Sequence, residues 1–239
     1  MNVLELFSGT GSVGKCCKQL GWDVVSVDLL LPADHEVDIL DFDYKQYPKD
    51  YFSLVWASPP CTYYSPLQNC WIGRKKKDGI TLTKELLEEQ RKESDKLIKK
   101  TLEIIDYFNP ELYFMENPQK GQLKDREVVK DLPYYDISYC MYCDWGYEKK
   151  TRIWTNKKDW NNLICDKSGA CGNMIDNHHK INVSKEVHTI GEKKKKYTQH
   201  KLTADGGYDK RKKNPIHNGT NKLDRYRVPE NLIFSLFLD

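Results

Sequence analysis

An apolar run, Val3-Leu4-Glu5-Leu6-Phe7, enters the glycine-rich turn Ser8-Gly9-Thr10-Gly11-Ser12-Val13-Gly14 and leaves into a helix-like stretch at 15–20. Few folds accept this order. A buried strand, a turn whose glycines reach backbone conformations closed to other residues, and a helix that starts at once commit the chain to an α/β layer with the turn at the strand's carboxyl end. A second strand pattern at 22–27 follows Gly21 and ends in Asp28. A doubly wound sheet offers a carboxylate to ribose hydroxyls at that point, and the N-terminus of the preceding helix offers unpaired N–H groups to a ligand. The turn by itself suits a dinucleotide, a nucleoside with a charged sulfonium tail, or no ligand. Glu5 and Phe7, standing where dinucleotide sites have small apolar residues, lean toward the sulfonium nucleoside. Asp28 alone reads equally as a loop carboxylate.

The alternation continues. Residues 37–40 read as the end of a third strand with Asp38 exposed, and 54–57 as a fourth strand. Over 82–108, Leu86, Leu87, Leu97, Ile98, Leu102, Ile105 and Phe108 recur at helical spacing, which predicts one long amphipathic helix stopped by Asn109-Pro110. The strand pattern at 111–115 then delivers Glu116-Asn117-Pro118. Strands alternating with helices predict a doubly wound, mostly parallel sheet whose functional loops share one carboxyl edge.

The fourth strand runs into Ala57-Ser58-Pro59-Pro60-Cys61. Two prolines fix φ and withdraw two backbone donors, so the thiol that follows is held in a set direction, as a nucleophile must be. A strand terminator followed by a small packed cysteine is the plainer reading, and the pentapeptide does not separate the two.

Composition bounds the setting. The 239 residues suffice for one good-sized core plus a small module, and 39% hydrophobic with 31% charged residues is a globular mixture without any run near the ~20 apolar residues of a membrane span. The first residues lack a basic n-region, so an intracellular location is expected, with the eight cysteines as thiols or metal ligands rather than disulfides. The net charge of +3 names no partner, but lysines and arginines cluster at 75–77, 193–196 and 210–213, with Tyr197 and Tyr208 nearby. Such clusters fit phosphate contacts or solvated loops. Cys165, Cys171 and the His178-His179 pair combine ligand types that suit a structural zinc, expected on Cys165, Cys171 and His178. Cys140-x-x-Cys143, amid Tyr135, Tyr139, Tyr142 and Trp145, reads instead as core packing on a strand.

Taken in order, Phe-Ser-Gly-Thr-Gly at 7–11, Asp28, Asp38, Pro-Pro-Cys at 59–61, Glu-Asn-Pro at 116–118 and Glu-Lys-Lys-Thr-Arg-Ile-Trp at 148–154 resemble the cytosine-5 DNA methyltransferases, most of all their compact viral and phage members. The resemblance covers about the first 155 residues and resumes at 225–238. It implies the S-adenosylmethionine-dependent methyltransferase type of sheet, with a catalytic domain at 1–155 plus 222–239 and a small target-recognition region at 156–221.

The resemblance also implies roles. Cys61 would add to carbon 6 of the cytosine ring, Glu116 would hold or protonate ring nitrogen 3, and Arg152 would hold the ring's carbonyl oxygen. A cation near Cys61 would lower its pKa. Phe7, Ser8, Gly9, Thr10, Gly11, Asp28, Asp38, Ile39 and Pro59 would bind S-adenosylmethionine. The sequence departs from the family pattern at Glu148, where glutamine is usual, at Lys150, where arginine is usual, and at Pro118, where valine is usual. The implied partner is double-stranded DNA with an extruded target base, or tRNA, which one branch of the family modifies; a non-catalytic nucleic-acid-binding relative is the remaining alternative. No membrane partner and a monomer are expected, in the host nucleus or cytoplasm if the protein is viral.

Overall fold

Seven strands form one sheet in the order β3-β2-β1-β4-β5-β7-β6 in the computed structural model. The strands are β1 (Asn2–Leu6), β2 (Asp23–Asp28), β3 (His35–Glu36), β4 (Leu54–Ala57), β5 (Leu112–Pro118), β6 (Tyr134–Ser138) and β7 (Lys150–Thr155). Strands β3, β2, β1, β4 and β5 pair in parallel, and β7 runs antiparallel between β5 and β6. The expected doubly wound, mostly parallel sheet is present, in the strand arrangement of the methyltransferase type. The structure describes residues 1–76, 78–175, 177–181 and 225–238 in full; over 182–224 it describes only the backbone at 182–186, 189–190, 193–194, 201–202, 208–209, 218–220 and 224. Lys77, Lys195, Lys196, Tyr197 and the cluster Lys210-Arg211-Lys212-Lys213 lie outside the described residues.

Side-chain alternation divides the core between the two faces. On β4, Val55 and Ala57 join Leu4 and Leu6 of β1 under the long helix α2 (Lys84–Phe108), which contributes Ile98, Ile104, Ile105 and Phe108. Leu54 and Trp56 face the other way, with Val3, toward α1 (Ser12–Gln19) and the last helix, α3 (Glu230–Leu238), whose Leu232, Ile233 and Leu236 are fully buried. Each such side chain contributes roughly 1.5–3 kcal/mol on leaving water. The limits of α2 follow from its ends: Thr83 Oγ1 accepts the Leu86 amide at 3.1 Å, and Asn109, at φ 43°, ends the helix in the left-handed conformation before Pro110.

Two expectations change here. The third strand is the two-residue β3, and the Asp38 region after it is a turn in which the Asp38 carboxylate accepts the Leu40 amide at 2.9 Å. The aromatic stretch after β6 leaves the sheet in a 3-10 turn, Tyr139–Met141, so Cys140 is not a strand residue. Residues just beyond β7 pack on this body: Trp160 is buried, with its indole N–H donating to Ser235 at 3.2 Å. Among the described residues no helix is long and apolar enough to cross a membrane.

Candidate active site

The turn after β1 is built from left-handed residues in alternation, with Phe7, Gly9 and Gly11 at φ 55°, 56° and 66°. For a bulky aromatic such as Phe7 this conformation costs on the order of 1–3 kcal/mol, a strain of the kind that collects at ligand sites. Asp28, at the end of β2, fixes the turn. One of its oxygens accepts the Gly9 amide at 2.9 Å, and the other accepts the amides of Leu30 and Leu31 at 2.8 and 2.9 Å. From inside the sheet, Glu5 accepts the Gly14 amide at 3.0 Å, so close that a Cβ on Gly14 would sit 2.6 Å from the carboxylate. Burial pushes the Glu5 carboxyl up to about 7, against the pull of the amides of Gly14 and Val13 and of Lys18 and Lys15. Ser8, in the turn, and Ile39 are buried, and Asp38 is half-buried.

Cys61 stands where β4 leaves the sheet. Asn117 of β5 donates to the Pro59 carbonyl at 2.9 Å, and the Tyr64 amide donates to the Cys61 carbonyl at 3.2 Å, so the backbone is pinned on both sides of the partly buried thiol. The pinning extends outward. Tyr64 is fully buried and donates to Asp95 of α2, which is in turn paired with Arg126.

Glu116, 7% exposed, is held by two donors: the Tyr139 hydroxyl at 3.1 Å and Lys149 Nζ at 3.3 Å. Lys149 also lies 4.6 Å from the centre of the Tyr139 ring and donates to the Arg225 carbonyl at 3.1 Å. Burial, and after it the charge of Glu116, push the Cys61 thiol up, while Lys149 and Arg225 pull it down. The expected lowering of the thiol pKa is therefore overturned: desolvation and the neighbouring carboxylate outweigh the two cations.

Arg152 stands apart from these groups. Across the β5–β7 ladder Arg152 faces Asn117 and Ile153 faces Glu116, and residues adjacent on a strand point to opposite faces. The Arg152 guanidinium is held instead by Asp136 of β6, through Nε at 2.7 Å and Nη2 at 2.8 Å, over the Tyr134 ring at 3.5 Å. The cation that reaches Glu116 is Lys149, which the motif pattern does not single out.

No family model matches the chain. It is 38% identical over 238 residues, 99% of this chain and 98% of the relative, to the "Probable DNA (cytosine-5)-methyltransferase" of Frog virus 3 (isolate Goorha). The chain belongs to the DNA (cytosine-5)-methyltransferase family. Solved structures similar to it include the Entamoeba histolytica methyltransferase EhMeth (16% identity, TM-score 0.45, 69% of this chain and 56% of that one) and a Spodoptera frugiperda DNMT2 variant (16% identity, TM-score 0.41, 68% and 54%).

This member of the DNA (cytosine-5)-methyltransferase family carries a second cluster of reactive side chains. The ligand atoms of Cys140, Cys165, Cys171 and His179 lie within 4.8 Å of one another. The expected metal set changes in two places. His179 points to the thiols while His178, its neighbour on the two-residue strand β9 (His178–His179), is exposed, because β9 pairs with β8 (Met174–Ile175) and successive side chains alternate. Cys140 joins the cluster, whereas Cys143 donates to the Tyr139 carbonyl at 3.2 Å.

Proposed function

We propose that this chain transfers a methyl group from S-adenosylmethionine to carbon 5 of cytosine in duplex DNA, through a Cys61 adduct with an extruded base, and that it acts as a monomer inside the host cell of a virus. The observation that carries the reading is the pinned thiol beside the Glu116–Lys149–Tyr139 group, in a chain with a nearly full-length relative of that name.

The residues of the 7–14 turn fit the cofactor. Gly11 caps α1 without a side-chain hydrogen bond, and nothing lies within 4 Å of the point where a Cβ on Gly11 would stand, so the turn leaves open space in front of the helix N-terminus. Asp28 Oδ2 accepts one amide and keeps capacity for a hydroxyl donor. Phe7, Ser8, Gly9, Thr10 and Gly11 would hold the cofactor from the turn, with Asp28 on the ribose and Asp38, Ile39 and Pro59 around the base. When bound there, S-adenosylmethionine supplies an electrophilic methyl group on a sulfonium.

The protein's own groups make carbon 5 a nucleophile. Cys61 gives its proton to Glu116 and adds to carbon 6 as a thiolate, and the electrons displaced toward ring nitrogen 3 are met by that proton, passed on from Glu116. Glu116 is the base's partner and also a charge that holds the Cys61 proton on. A Glu116 that carries a proton toward the ring no longer opposes the thiolate, and Lys149 and Arg225 then favour it. The same contact that receives the base thus arms the nucleophile. Tyr139 and Lys149 fix the Glu116 carboxylate, whereas Arg152, clamped by Asp136 on the other face of β7, lies outside this group. Once carbon 5 carries the methyl group, its proton passes to water, the electrons of that bond re-form the 5,6 double bond as Cys61 leaves as a thiolate, and Glu116 takes back the proton of ring nitrogen 3. The catalytic body in this reading is 1–155 plus 222–239, with target recognition in 156–221.

Incubation with labelled S-adenosylmethionine and either duplex DNA or tRNA tests the substrate. Label in cytosine of DNA is expected. Label confined to tRNA would move the reading to that branch, and no transfer to either would favour a binding protein.

A further inference from the structure

We propose that Cys140, Cys165, Cys171 and His179 form a structural zinc site that fastens residues 165–179 onto the catalytic body. Four ligand atoms from three separate stretches of chain converge within 4.8 Å, on the turn after β6, at the two ends of the 165–171 loop, and on β9. His179 Nε2 lies 3.7 Å from Cys165 Sγ and 3.7 Å from Cys171 Sγ. A tetrahedral zinc with the usual bond lengths of about 2.3 Å to sulfur and about 2.0–2.1 Å to nitrogen separates two such ligands by about 3.6 Å. All eight cysteines are free thiols, so no disulfide accounts for the convergence.

The surrounding backbone is arranged to hold this set. Asn173 is buried, and its Nδ2 donates to the carbonyls of Cys140 at 2.8 Å, Cys143 at 2.7 Å and Cys171 at 2.9 Å, while its Oδ1 accepts the Gly146 amide at 2.9 Å. One amide side chain therefore fixes the main chain of two ligands that are 31 residues apart in sequence. The loop between Cys165 and Cys171 turns tightly through Lys167 at φ 65° and Gly169 at φ 96°, bringing its two thiols to the same point. Three sulfurs and one imidazole, all supplied by protein, form a closed set with no position for substrate, which is a structural and not a catalytic arrangement; soft sulfur ligands in a tetrahedral frame select zinc over calcium or magnesium.

The site has a consequence for the chemistry next to it. Cys140 follows Tyr139, whose hydroxyl holds Glu116. A metal on Cys140 fixes the turn that aims that hydroxyl, and couples the region beyond β7 to the support of Glu116.

The test is metal content, which does not depend on the proposed methyl transfer. Full-length protein produced with zinc in the medium and purified without chelator should carry one zinc per chain by elemental analysis, and X-ray absorption should show three sulfur neighbours and one nitrogen. Cys171→Ser and His179→Ala should each lose most of that zinc, while Cys143→Ser keeps it. Chelation should lower the melting temperature of the wild type. Wild-type protein that purifies without zinc and does not take up added zinc or cobalt overturns the proposal, as does full zinc retention by both ligand variants. The absorption measurement on wild-type protein decides the matter even if a variant fails to fold: coordination by fewer than three sulfurs contradicts the site.

Discussion

Glu5 and Glu116 are the same residue type, on the same face of the same sheet and buried to nearly the same degree, 3% and 7% exposed. They differ in what they hold. Glu5 accepts main-chain amides of α1 and forms no ion pair among the described residues, so burial dominates and its proton is retained up to about 7. Glu116 lies at the carboxyl edge with a lysine and a phenol as donors, within electrostatic reach of a thiol. Burial alone does not make a carboxylate a reacting group. The partners do, and their identity separates a residue that shapes the glycine turn from one that, in the proposed reaction, serves the base.

The comparison breaks most visibly at the thiol that Glu116 serves. Cys61→Ser should reduce methyl transfer by about 10⁴-fold or more, with the fold intact by circular dichroism. Transfer within tenfold of the wild type would remove the nucleophile from the account. Glu116→Gln keeps shape and loses the proton; a fall of about 10²–10³ in kcat is expected, with little change in melting temperature. Glu5→Gln should do the opposite, sparing kcat in relative terms and altering stability with pH.

The sign of that pH effect follows from the raised pKa. The folded state holds the Glu5 proton more tightly than the unfolded chain, so its contribution is complete below about 4.5, the unfolded value, and is lost as pH rises through about 7. Over that interval the term is on the order of 3 kcal/mol. Denaturation of both proteins between pH 4.5 and 8 should show the wild type gaining on Glu5→Gln as pH falls; parallel curves would mean that Glu5 is not a buried, unpaired acid. Tyr139→Phe, the smallest change, should cost kcat about tenfold through loss of one hydrogen bond to Glu116, and should shift the pH dependence of kcat as Cys143→Ser does not.

The two glutamates also mark what could be read from sequence. Everything carried by contiguous residues was legible: the glycine turn, the acid closing β2, the pinned thiol and the Glu-Asn-Pro strand end, because local conformation places each of them. Groups that meet through register were not. Lys149 reaches Glu116 while Arg152, three residues on, pairs with Asp136 on the other face; a period-two strand makes that choice only once its ladder is known. His179 replaces His178 for the same reason. Cys140 was hidden by its aromatic neighbours, whose spacing suggests a strand where the chain turns out of the sheet, and Asn173, which joins the thiol-bearing segments, has no sequence signal at all.

A covalent trap tests the central claim most directly. Duplexes carrying 5-fluorocytosine in place of cytosine, across a library of flanking sequences, are incubated with protein and S-adenosylmethionine, because fluorine at carbon 5 prevents the proton loss that frees the thiol. The account predicts a denaturation-resistant protein–DNA adduct that maps to Cys61 by peptide mass and is absent from Cys61→Ser. An adduct that survives in Cys61→Ser, or no adduct from active wild-type protein on any duplex, would contradict it.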